Sequence, residues 1–353
     1  MKSLRAAATL LLLLSPVVLL AQRSTPVRLG TILPANSVWD KALKQMGAEW
    51  QKVTEGRVRL RVISGGSQGD ESIIIRRMRL SNPHAAALTQ PGLAEIDDAF
   101  NVFGIPFFFE SDEEAAHVLE KLTPTFERAL ADAGLVLLNW GHGGWAHIFT
   151  AERIENLDDL RASRIFTSSG DDQMTQWYKE NGFKPVPLAI TDVMMGLNTG
   201  LINAYPSPPY AALLLQWYRQ ISYMLDIPLG PVIGATVMIE RTWRRIGSDD
   251  QAAILDVARA TERQLWSDVP SQGREAVAEM TKRGLTVTAL DPAAEREFRA
   301  TADELTASMR GGMVPNDIYD LALRERDSFR AARVALTVTP PTIEDAGDAI
   351  EVR

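Results

Sequence analysis

Three stretches of this chain hold residue types that could do chemistry. Gly65-Gly66-Ser67-Gln68-Gly69 matches G-x-S-x-G where a strand should give way to a helix. That is the local context of a serine nucleophile elbow. A secreted serine hydrolase using Ser67 would need an acid and then a histidine later in the chain. The four histidines, His84, His117, His142 and His147, all fall in the N-terminal half. The other reading is a glycine-rich turn whose backbone N–H groups face a cleft.

The run Asn139-Trp140-Gly141-His142-Gly143-Gly144-Trp145-Ala146-His147 is the densest cluster of unusual residues. Its two histidines, five apart, suit neither one helix face nor one strand face. No carboxylate lies within the run to complete a zinc site. The alternative is a strand that ends near Trp140, with glycines that let backbone approach a ligand or another lobe. His147 could then give one hydrogen bond in a cleft. The pairs Asp97-Asp98 and Asp171-Asp172 could serve glycosidase chemistry, but no supporting motif accompanies them. They read as residues at helix termini, the second pair at an N-terminus where negative charge is favoured. No P-loop, dinucleotide fingerprint or EF-hand loop is present, so no cofactor and no metal are expected.

Four aromatic and proline features remain. They are Gly104-Ile105-Pro106-Phe107-Phe108-Phe109, Trp145, Phe166, and Tyr205-Pro206-Ser207-Pro208-Pro209-Tyr210. Each is core-like by itself. All fall at predicted strand ends or loops, where the ligand clefts of α/β lobes form.

Elements must position these residues. Residues 27–33 read as a buried strand. Trp39, Leu43, Met46, Trp50 and Val53 recur at helical spacing. Residues 57–63 alternate, with Arg57, Arg59 and Arg61 on one face, as in a half-exposed strand. Strand and helix then alternate: helix near 69–80, strand 85–89, helices near 92–98 and 112–132, strand 135–140. A second set follows, with strands near 146–150, 164–167, 203–206 and 222–226 and helices near 170–181, 191–199 and 208–219. Such alternation predicts α/β lobes with mostly parallel sheets. Strand 232–240 leads into a helical tract over about 248–283. Ser248 with Gln251 reads as its capping box, and Pro270 should bend or break it. A short strand over 285–290 and a helix opened by Asp291-Pro292 follow.

Composition bounds the rest. Residues 1–21 pair a charged start, Lys2 and Arg5, with an apolar run, and read as a secretory signal peptide. The run is short of the ~20 residues of a spanning helix. Cysteine is absent, which excludes disulfides, thiolate metal sites and a cysteine nucleophile. Export without disulfides fits the bacterial periplasm. The formal charge is −8, and loss of Lys2 and Arg5 would make it −10. That balance argues against nucleic-acid partners. The length exceeds what one core usually serves, so two lobes are expected. No linker separates them, so the chain should cross between them more than once.

In this order and spacing the segments resemble the DctP-type solute receptors of TRAP (tripartite ATP-independent periplasmic) transporters. The matching residues are Gly66-Ser67-Gln68-Gly69-Asp70-Glu71, Ile105-Pro106-Phe107-Phe108-Phe109, residues 156–165 (NLDDLRASRI), residues 197–203 (LNTGLIN) and Thr242-Trp243. The resemblance spans about residues 26–333. It implies a two-lobed periplasmic binding protein fold, each lobe a mostly parallel sheet flanked by helices, with a cleft between and a long helix linking them. Lobe 1 would comprise 26–145 plus about 232–265, and lobe 2 would comprise 146–231 plus about 266–333. Residues 334–353 would form a mobile tail. The implied function is non-enzymatic: capture of one solute and its delivery to membrane permease subunits.

The departures from that family fall where a ligand would sit. The arginine that grips a ligand carboxylate falls on Phe166, and a second arginine falls near Ala146. The asparagine of a Glu-Asn-Pro turn falls on Ser207, an aspartate falls on Asn203, and an apolar position is Ile190. A buried carboxylate needs a paired cation. Arginine supplies one, and phenylalanine cannot. The expected ligand is therefore apolar or neutral, held by Trp145, Phe166, Ile190 and Tyr210, with Ser67, Gln68, His147, Ser207 and Asn203 as polar contacts. Another cation, Arg164 or Arg76, could instead turn inward. A receptor-fold protein with no ligand is the further alternative. Family members without the arginine stand beside helical-repeat periplasmic proteins and lipid-like ligands, so the resemblance implies such a partner here.

Overall fold

The computed structural model describes residues 24–338. The expected signal peptide, residues 1–21, and the tail beyond 338 lie outside the described residues. Among the described residues no helix is long and apolar enough to cross a membrane.

Ten strands run in chain order as β1 (Thr25–Thr31), β2 (Val58–Ile63), β3 (Ala85–Thr89), β4 (Leu135–Thr150), β5 (Arg164–Ser168), β6 (Lys184–Leu188), β7 (Ala204–Ser207), β8 (Tyr223–Leu225), β9 (Gly230–Ile239) and β10 (Thr286–Thr288). They join in the order β2-β1-β3-β9-β4-β7-β5-β6, with β8 and β10 attached beside β4. The outer groups β2-β1-β3 and β7-β5-β6 are parallel. The centre is not: β9 and β4 pair antiparallel with each other and with β3 and β7. Each lobe thus keeps the expected parallel group, and the antiparallel crossing through β9 and β4 makes the joined sheet mixed.

The sequence suggested a strand ending near Trp140 and another starting at Ala146. The structure has one strand, β4, running from the first lobe into the second. Its glycines admit a close neighbour instead of ending it. A Cβ on Gly143 would lie 2.9 Å from Val232, and Gly144 sits at φ +95° beside Pro208. β6, KPVPL, was missed because prolines cannot donate to a ladder; it survives as the edge strand of its sheet.

The long helix Ser248–Lys282 continues through Pro270. Its first half packs Ile254 and Ala258 on the β1–β3 core. Its middle packs Leu265 and Val269 against Trp39, and Met280 enters the second lobe's core. Burial along its whole length offsets the hydrogen bond that proline removes. Its cap is Gly247, without a side-chain bond. Gln251 donates to the Trp243 and Ile246 carbonyls, so the expected capping box does not form.

The C-terminal segment crosses back. The helix Pro292–Met309 sets Ala294 and Phe298 in the second lobe's core. Met309, Met313, Val314, Ile318 and Ala322 then join the first lobe's core with Phe108 and Phe109. The helix Asn316–Val338 is tied there by Arg330 to Glu114. Residues from about Met309 onward therefore pack on lobe 1, not lobe 2, because their apolar face meets the helix Asp112–Asp132. Residues 334–338, expected in the tail, belong to this helix. Phe107 separates the two cores. At φ +59° it turns away from Ile105, Phe108 and Phe109 in the first and packs on the second.

Candidate functional site

The carboxyl ends of β1, β2 and β3 from one lobe, and of β5 and β7 from the other, point at a shared cleft. A cavity of about 560 Å³ lies there. That volume lies within the range of small-molecule sites. The lobes meet around it. The Val38 N–H donates to the Tyr210 hydroxyl (3.1 Å), and the Trp39 and Tyr210 rings lie 5.1 Å apart. Ser169 donates to Asp70 (3.2 Å), and Gln173 to Asp98 (3.0 Å).

One wall is aromatic. Phe166, 7% exposed, sits mid-strand in β5 and packs its ring 6.2 Å from Trp217. Trp217 meets Tyr205, which stacks on Phe149. Ile190, Met194 and Leu215 extend this wall. The opposite character comes from carboxyl groups. Asp70, Glu71 and Glu95 of the first lobe and Asp171 of the second also line the cavity. Glu71 is buried and accepts from the Thr89 N–H and hydroxyl, both at 2.6 Å. Burial pushes its carboxyl up to about 7. Burial also raises Glu95, aided by the charges of Asp70, Asp171 and Asp172, and raises Asp171, aided by Asp172. No lysine, arginine or histidine is among the described residues of the wall.

Of the nine expected ligand contacts, the structure brings Phe166, Ile190 and Ser207 to the cavity. Ser207 turns its hydroxyl to the Pro208 carbonyl (3.0 Å). The other six are placed elsewhere, each for a visible reason. Trp145 donates to Asp112 (2.6 Å), which His142 also contacts (2.9 Å). His147 bonds the Leu225 carbonyl through Nδ1 (3.1 Å), and burial lowers its basicity. Tyr210 bridges the lobes instead of lining the space. Asn203 accepts from the Arg164 N–H (2.7 Å), 39 positions away, and so ties the start of β7 to the start of β5. The Gln68 carbonyl accepts from Arg77, and its side chain packs behind Gly30. Ser67 is exposed and donates to the Ser64 carbonyl (3.3 Å).

The G-x-S-x-G turn thus has no hydrolase geometry. The N–H groups of its three glycines are also committed: Gly65 donates to Leu33, Gly66 to Thr31 and Gly69 to Gly66. None of the four histidines has a hydrogen bond to Ser67 among the described residues. Asp97 and Asp171 act as helix caps, accepting from Ala99 and Met174. Among the described residues no cluster could hold a metal ion. Neither alternative cation turns inward. Arg164 shares a strand face with Phe166, but it stands exposed at the far end of β5, bonded to Gly200. Arg76 is exposed on its helix. Sequence reasoning missed Trp217 and Glu95. Trp217 follows a left-handed turn at Gln216 inside an expected helix, and a lone glutamate after a short helix carries no pattern.

Comparison with known proteins follows the same lines. The family model for bacterial extracellular solute-binding proteins, family 7 (DctP), matches residues 29–311. A solute-binding protein of Chromohalobacter salexigens is 26% identical over 274 residues, 75% of this chain and 80% of that protein. An extracytoplasmic solute receptor of Bordetella pertussis that binds pyroglutamic acid superposes with a TM-score of 0.78 at 18% identity. The match covers 86% of this chain and 100% of that one. A TRAP periplasmic solute-binding protein of C. salexigens with bound D-glucuronate gives a TM-score of 0.75 at 20% identity, over 86% and 99% of the two chains. Those two structures share the fold with this chain.

Proposed function

Because the chain belongs to the DctP family of bacterial extracellular solute-binding proteins, the receptors of TRAP transporters, we propose that its interlobe cavity captures a small solute with an apolar body and no free carboxylate. Members of this family are receptors and not enzymes. They bind small-molecule solutes and work with TRAP permeases. The site of action is the periplasm, where relatives of this fold operate, reached through the signal-like residues 1–21.

The observation that carries the ligand reading is the charge of the wall. The related structures hold acids, D-glucuronate in one and pyroglutamic acid in another. A carboxylate moved from water into such a cavity costs several kcal/mol unless a cation meets it. Here the wall supplies no cation, and four carboxyl groups would repel the newcomer. Phe166, Ile190, Met194 and Trp217 instead offer apolar surface, at roughly 25 cal/mol per Å² buried. Ser207 is the proposed polar contact beside them.

Thermal shift against a compound panel tests this. Neutral compounds with apolar bodies should raise the melting temperature, and uronates, aldonates and pyroglutamate should not. Stabilisation by the acids alone contradicts the proposal.

A further inference from the structure

Resting on that reading, we infer that the solute presents a neutral O–H or N–H donor to the side-chain oxygen of Gln90. Gln90 follows directly on β3 and lines the cavity, only 8% exposed. Its Nε2 donates to the Asn101 Oδ1 (3.1 Å), while its Oε1 accepts no hydrogen bond among the described residues. That oxygen lies beside Gly104, another residue of the cavity wall, where a Cβ would stand 3.2 Å from it.

The amide is not free to turn over and hide its oxygen. Asn101 is buried, and its Nδ2 donates to the Met313 carbonyl (3.0 Å) and to the Gln173 Oε1 (3.2 Å). A carbonyl only accepts, so Asn101 presents nitrogen there and oxygen to Gln90. Gln173 is fixed in turn, since its Nε2 donates to the Asp98 carboxylate (3.0 Å). Gln90 therefore meets Asn101 with its nitrogen and keeps its oxygen for the cavity. Holding Asn101 accounts for the nitrogen and leaves the oxygen without a structural role. A seated solute takes that oxygen out of water, and an acceptor left bare there counts against binding. A donor on the solute replaces the lost water; an ether or a hydrocarbon at that point does not. The chain of amides also crosses the seam, with Gln173 on the second lobe and Asp98, Asn101 and Gln90 on the first. Closure completes the set that aims the oxygen, so a solute that uses it favours the closed state.

Calorimetric titration with four matched probes decides the matter: 3-phenylpropan-1-ol, its methyl ether, 4-phenylbutanamide and 4-phenylbutanoate. The alcohol or the amide should bind about fivefold or more tighter than the ether, as a hydrogen bond at a desolvated acceptor requires. The tighter of the two identifies the donor as O–H or N–H. Gln90→Met keeps the length of the side chain and removes the acceptor. It should shrink that advantage to within about twofold and leave the ether's own affinity within about twofold. If that variant misfolds, Gly104→Ala applies the same test, because its methyl group crowds the oxygen; it too should shrink the advantage. Donor probes that bind no better than the ether, absent binding included, overturn the inference and leave the receptor for carboxylate-free solutes standing. So does an advantage kept in full by the folded variant. Preference for 4-phenylbutanoate overturns both.

Discussion

The cavity has two kinds of wall, and they are built on different principles. The aromatic wall is core first. Phe166, Trp217, Tyr205 and Phe149 belong to one buried cluster, and only the inner edge of that cluster meets the cavity. The acidic wall is costly to the fold. Burial, with the charges of Glu95 and Asp70, raises the Glu71 carboxyl to about 7 against the bonds it accepts from Thr89, which is stability lost near neutral pH. A wall that stabilises the fold needs no further reason to exist. A wall that destabilises it does, and binding is the reason that fits its place in the cleft.

This contrast can be broken at four points. The largest effect is expected at Phe166→Ala. Emptying that position in the aromatic cluster should cost about 3 kcal/mol in denaturant unfolding and weaken binding of apolar solutes. A change under about 1 kcal/mol would detach Phe166 from the core. The acidic wall should show itself in pH. The Glu71 carboxyl is raised on folding, from 4.5 to about 7. Its contribution to stability is therefore fully present below about pH 4.5 and lost as pH rises through 7, by up to about 3 kcal/mol. Stability measured from pH 4.5 to 8 should fall over that window, and Glu71→Gln should flatten the fall.

At the seam, Tyr210→Phe removes the acceptor for the Val38 N–H and keeps the ring against Trp39. It should cost about 1 kcal/mol of closure, seen as roughly fivefold faster solute release in stopped flow. The smallest effect on binding belongs to Trp145→Phe. It breaks the bond to Asp112 away from both walls, so solute affinity should hold within about twofold. A large loss there would mean that the β4 crossing is coupled to the cleft.

Much of the fold is legible in the chain. Strand and helix alternate in clear periods, and the helix Asp112–Asp132 falls where it was expected. The failures have local causes. β6 is written in prolines, which only an edge position tolerates. Pro270 and the glycines of β4 read as breaks, yet a buried helix and a close strand crossing absorb them. The site was less legible. Phe166 could be found because a family pattern marks its position. Glu95 could not, because it reaches the cavity wall and Gly170, 75 positions away in the chain and on the other lobe, only in the folded protein. Tyr210 and His147 carry ligand-like chemistry, but tertiary partners had already taken their polar atoms.

The central question is what occupies the cavity. Native mass spectrometry of the protein isolated from periplasm without refolding, with release and identification of any bound solute, answers it most directly. A solute with an apolar body and no carboxylate is the expected result. A uronate, an aldonate or another carboxylic acid in the cleft would contradict it.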